Sequence, residues 1–116
     1  IASVLRRARE SHAAALGAAE RGEGLQALTD PAELALIRHL AEFPATVVGA
    51  ARARAPHRLP KYARDLAAEF HQFYDACRVL SDDAATTTAR LALVLATKAV
   101  LATTLAICGV SAPEQM

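Results

Sequence analysis

Residues 84–108 constrain this chain more than any other stretch. Leu91, Leu93, Val94, Leu95, Val100, Leu101, Leu105 and Ile107 would fall on nearly every side of a helix, and a helix that is apolar all round has to be wrapped by other protein elements or by lipid. Lys98 and several threonines between positions 86 and 104 interrupt the run, and Arg90 precedes it. The longest uncharged apolar stretch falls short of the roughly 20 residues that cross a bilayer. The stretch therefore reads as the central helix of a bundle, with no membrane partner, and the rest of the chain has to supply helices that cover it.

The remaining sequence does so. The chain has 116 residues, 53% of them apolar and only five each of Gly and Pro, a balance that favours packed helices. This length makes one domain, residues 1–116, able to bury roughly 65% of its unfolded surface. Ile1, Val4, Leu5, Ala8, Ala15 and Leu16 form one stripe of an amphipathic helix over about residues 1–20. Gly17, Gly22 and Gly24 loosen the chain, and residues 22–29 read as a flexible connector with Leu25 and Leu28 tacked onto the core. Asp30, Pro31 and Glu33 spell an N-cap, a proline at the first helical position and a reciprocal carboxylate. Leu34, Ile37, Leu40 and Ala41 would be the buried stripe of that helix, which Pro44 ends at Phe43.

Pro44 then opens a short helix carrying Val47, Val48 and Ala51 toward Arg54. Pro56 and Pro60 bracket a turn, with Pro60 tolerable only in the first turn of the next helix. That helix is expected to run to about Val79 with Tyr62, Leu66, Phe70, Phe73 and Cys77 inside. Ser81, Asp82 and Asp83 cap the apolar helix at its start, and Gly109 is placed as its left-handed stop with Val110 folding back. The predicted fold class is all-α, an antiparallel bundle of about five helices.

Net charge is only +1, but its distribution is uneven. From Phe43 to Arg64 the basic residues Arg52, Arg54, Arg58, Lys61 and Arg64 stand beside His57 with no acid, and Arg6, Arg7 and Arg9 cluster near the start. Localised positive charge is what phosphate binding needs, and a solvated helix face gives the same pattern. Phe70 to Leu80 gathers three of the five Phe and Tyr residues. Phe70, Phe73, Tyr74 and Cys77 share one helical face, flanked by His71, Asp75 and Arg78. Phe70 and Phe73 read as core, whereas the Tyr74 phenol needs a polar partner or water and suits the rim.

Several pieces in order resemble one family. They are Asp30-Pro31-Ala32-Glu33-Leu34, Leu40-Ala41-Glu42-Phe43-Pro44, Pro56-His57-Arg58, the Phe70 to Leu80 block, Ala89-Arg90-Leu91-Ala92-Leu93, and Gly109-Val110-Ser111-Ala112-Pro113 with a terminal Met116. This order is similar to the DALR anticodon-binding domain of class I arginyl-tRNA synthetases, and the start Ile1 to Arg7 resembles that family's first helix. The resemblance implies a domain that holds the tRNA-Arg anticodon stem-loop, within an enzyme that joins arginine to tRNA with ATP. Such loops are read by stacking unpaired bases on aromatic rings or guanidinium planes. By matched position, Tyr74, Arg6 and Met116 would face anticodon bases, and Arg7, Arg58 and Arg78 would be candidates for the RNA backbone.

The HIGH and KMSKS signatures of the catalytic domain are absent from these residues. The resemblance thus implies a non-catalytic fragment of a cytoplasmic enzyme, with tRNA-Arg and the catalytic domain of the same polypeptide as partners, and with ATP and Mg belonging to that other domain. One departure is Gln115, which stands where the family often has Arg. No cofactor or metal site is expected here: His71 and Asp75, or Asp65 and Glu69, are helix neighbours, but the Glu-x-x-His pairs of a carboxylate-bridged metal site are missing. Cys77 and Cys108 lie in apolar patterns and read as inert thiols. The alternative reading is a helical protein-interaction or dimerisation module that binds no RNA.

Overall fold

A computed structural model describes residues 1–109. Among the described residues the chain forms six α-helices and one short 3-10 turn: α1 (Ala2–Ser11), α2 (Ala13–Glu20), η1 (Leu25–Ala27), α3 (Pro31–Ala41), α4 (Phe43–Arg52), α5 (Arg58–Ala76) and α6 (Ala84–Ile107). The all-α bundle holds, and α6 takes the central place: it packs against α2, η1, α3 and α5. By length and composition α6 and the α3–α4 pair could each cross a membrane. Yet α6 gives nine residues to the interior, including Thr87, Thr97 and Thr104. Thr97 and Thr104 return their hydroxyls to the carbonyls of Leu93 and Val100 at 2.8 and 2.7 Å, which makes burial of these polar side chains tolerable.

The first amphipathic stretch is two helices rather than one. Ser11 Oγ donates to the carbonyl of Arg7 at 2.8 Å and lies 2.8 Å from His12 Nδ1. Back-bonding of this kind bends helices, and His12 leaves helical geometry at φ −135°, ψ 41°. Val4, Leu5, Ala8 and Leu16 are buried as expected. Gly17 lies within α2 instead of loosening the chain. In the connector Leu28 reaches the core, whereas Leu25 is 49% exposed.

The capping box forms as read. Asp30 Oδ1 accepts from the Ala32 amide at 2.9 Å, and Glu33 Oε1 accepts from the amides of Thr29 and Asp30 at 3.0 and 2.9 Å. The buried face of α3 differs, however, because Glu33 and Leu36 point inward while Leu34 is exposed. A buried acid at position 33 turns the helix by about one residue relative to a purely apolar stripe. In α4 Ala50 is buried and Val48 is exposed.

α5 carries Leu59, Tyr62, Ala63, Leu66, Phe70 and Phe73 into the core, with Pro60 in its first turn. Tyr62 is wedged between His39 and Phe43, at ring centroid distances of 5.0 and 5.9 Å, and donates to the His39 carbonyl at 2.6 Å. Burial, and then the charge of Glu42, push its phenol up to about 12. The folded state thus holds the Tyr62 proton more tightly than the unfolded chain does. The stabilisation it gives is complete below the ordinary value of 10.0 and disappears as pH rises toward 12. Tyr62→Phe should flatten this part of the alkaline unfolding profile, which a pH series of urea melts would show.

Candidate nucleic-acid interface

A concavity with polar walls is built where α5 stops. Its helix ends at Ala76, earlier than the expected Val79, and Cys77 takes extended geometry at φ −126°, ψ 128°. Burial accounts for the break. Nine residues beyond Phe70, a continued helix would turn Val79 about 180° from the buried face. An extended chain instead alternates sides, so Cys77 and Val79 are buried and Arg78 between them is exposed.

This 77–80 segment, the end of α5 and the inner side of α1 enclose a cavity of about 410 Å³. Tyr74, 38% exposed, stands at its edge, its ring 6.1 Å from that of buried Phe70. Arg7 Nη2 donates to the Tyr74 hydroxyl at 3.0 Å, which ties α1 to α5 across 67 residues. Val4, one helical turn before Arg7, lines the same wall, and His12 from the α1–α2 break joins it with Arg78. Two guanidinium groups, an imidazole and a phenol thus surround a small aliphatic floor. Cys77 also lines the cavity, and burial raises its thiol above the usual range despite the opposing charge of Arg90; a protonated thiol is a poor nucleophile.

The sequence-derived site residues divide. Tyr74, Arg7 and Arg78 meet in the cavity. Arg6 is exposed on α1 and does not line it; neighbouring residues on a helix point about 100° apart, so Arg7 takes the position beside Tyr74. Arg58 is exposed at the other end of α5, 16 residues from Tyr74, or about 24 Å of helix. Met116 lies outside the described residues. His12 was not anticipated, although a histidine after serine within an alanine-rich helix pattern was a local signal of a break.

A largely enclosed ion pair reaches the backbone of the 77–80 segment. Glu33, 2% exposed at its side chain, takes the Arg90 Nε on Oε2 at 2.7 Å, and Arg90 Nη1 donates to the Arg78 carbonyl at 2.8 Å. A second concavity, about 620 Å³ between α2, η1, α3 and α6, is lined mainly by Leu28, Ile37, Leu40, Leu93 and Leu95. Its wall offers few hydrogen-bonding groups. Among the described residues no group of three or more His, Cys, Asp or Glu side chains is placed to hold a metal ion.

The family model described as the DALR anticodon binding domain matches residues 1–116, the whole chain. The chain belongs to the DALR anticodon-binding domain family. Over 116 residues this DALR domain is 52% identical to the arginine–tRNA ligase of Symbiobacterium thermophilum, covering all of this chain and 20% of that protein. It is 48% identical to the arginine–tRNA ligase of Frankia alni, covering all of this chain and 21% of that protein. The Moorella thermoacetica arginine–tRNA ligase is 54% identical over 79% of the chain. The DALR domain therefore spans about a fifth of the length of the curated relatives it matches in full. No solved structure gives a significant match.

Proposed function

We propose that this DALR domain binds the anticodon stem-loop of tRNA-Arg, as part of an enzyme that attaches arginine to that tRNA at the expense of ATP bound elsewhere in the polypeptide. The observation that carries the proposal is the Arg7–Tyr74 contact at the mouth of a cavity that Arg78 also faces. A half-exposed phenol ring backed by Phe70 is a platform for an unstacked base, and the arginines offer both planes for stacking and charge for phosphates. Arg7 fixes the ring by its hydroxyl and leaves the face open. Arg58, about 24 Å along α5, belongs to a separate basic group that would follow the stem rather than the loop.

The domain does no chemistry of its own in this reading. It supplies binding energy and register, and the catalytic steps, with their ATP and Mg, lie in the rest of the enzyme. Filter-binding titrations of tRNA-Arg and a non-cognate tRNA over a range of salt test the proposal. Tyr74→Ala should weaken tRNA-Arg binding by about 1 to 3 kcal/mol, the worth of one stacked base, with an unchanged melting temperature. Arg58→Gln and Arg78→Gln should each lower the salt slope by about 1 if they contact phosphate. No measurable binding of either tRNA would instead favour a helical module that binds no RNA.

A further inference from the structure

We infer that the Glu33–Arg90 ion pair is a positioning device that holds the 77–80 segment, and with it Arg78, in the shape that receives RNA; this rests on reading the cavity as the RNA site. The segment has left the α5 helix, so the Arg78 carbonyl finds no partner in that helix ladder. Arg90 supplies one from α6 at 2.8 Å. With its Nε the same guanidinium grips Glu33 at 2.7 Å. The fork is planar and rigid, so fixing one arm fixes the other.

The anchor is itself held. Glu33 Oε1 accepts the amides of Thr29 and Asp30, which leaves Oε2 for Arg90. One continuous path of hydrogen bonds thus runs from the start of α3, through a buried carboxylate, to a guanidinium on α6 and on to the backbone at 78. Val79 and Cys77 pin the inward side of the segment by burial, while Arg90 fixes its peptide plane. Burial alone is non-directional; setting the direction in which exposed Arg78 leaves the backbone requires a directional contact, and a buried ion pair contributes more to such definition than to net stability.

The test compares Arg90→Lys and Glu33→Gln. Lysine keeps the charge but loses the rigid two-armed fork. Glutamine keeps an oxygen for the Thr29 and Asp30 amides but no longer carries the charge that grips Arg90. Affinity for tRNA-Arg is measured for each variant alone and combined with Arg78→Ala, beside Tyr74→Ala, and the rate of Cys77 modification by a thiol reagent is followed in a Cys108→Ala background. Each variant should weaken tRNA-Arg binding about tenfold when Arg78 is present and less than about twofold when it is replaced, as coupled neighbours do. Cys77 should react faster in both, with helical circular dichroism unchanged.

Equal losses in the two backgrounds, no loss at all, or loss of the fold in both variants would overturn the proposal. If Tyr74→Ala weakens binding and Arg90→Lys and Glu33→Gln do not, only the positioning role fails. If Tyr74→Ala has no effect on tRNA-Arg binding, the reading of the cavity fails and the positioning role falls with it.

Discussion

Phe73→Ala should lower the unfolding free energy by about 3 to 5 kcal/mol, read from urea melts monitored by circular dichroism. The side chain is 0% exposed and among the largest fully buried groups, and its ring lies 5.8 Å from Phe70. It belongs to the buried face of a helix that packs on both α3 and α6, so truncation leaves a hole in the shared core. Against a total of about 5 to 15 kcal/mol for a domain of ordinary stability, such a loss leaves a measurable unfolded population. Tyr74→Ala, one residue along and at the surface, should cost less than about 1 kcal/mol. If the two substitutions destabilise equally, Tyr74 is core and cannot serve as an exposed platform.

That pair of neighbours shows how far the sequence could be read. The α5 stripe was legible because Tyr62, Leu66, Phe70 and Phe73 repeat at helical spacing and all are buried. Pro60, the Asp30–Glu33 capping box and Gly109, at φ 78°, were legible because each acts on its own few residues of backbone. The errors share a different origin. α3 turned by a residue because its most important inward group is the acid Glu33, which a search for apolar periodicity counts as surface. Leu34 reads as inside on hydrophobicity and is exposed.

The end of α5 could not be located locally, since Ala76-Cys77-Arg78-Val79 contains no glycine or proline. It is set by partners far along the chain, in the burial of Val79 and in Arg90, 12 residues on from the carbonyl it holds. The candidate site repeats this division. Residue types, Tyr74 with arginines, were visible together with the family pattern, but the choice of Arg7 over Arg6 depends on how α1 faces α5. His12 entered only because the first helix breaks. Contacts between elements that are distant in sequence decide these details, and periodicity within one element does not contain them.

The second large effect is expected at the least conspicuous of those contacts. Glu33→Ala should destabilise by about 2 to 4 kcal/mol, clearly more than Asp30→Ala at about 1 kcal/mol, although both acids cap the same helix. Asp30 accepts the backbone amides of Ala32 and Glu33 but is only partly buried, so water can take over much of that role. Glu33 accepts two amides and the Arg90 guanidinium with its side chain 2% exposed, while that of Arg90 is 18% exposed. Alanine at 33 therefore strands two donors and a largely enclosed positive charge, and removing one member of a buried pair costs about 3 to 5 kcal/mol when the survivor is fully buried. The partial exposure of Arg90 lowers the figure, because the guanidinium can turn toward water. Adding Arg90→Met to Glu33→Ala should restore part of the loss by removing the stranded charge, whereas adding it to Asp30→Ala should not. Thermal and urea melts of the four variants would show this, and a Glu33→Ala, Arg90→Met double variant less stable than Glu33→Ala alone would mean that Arg90 stabilises the fold without Glu33.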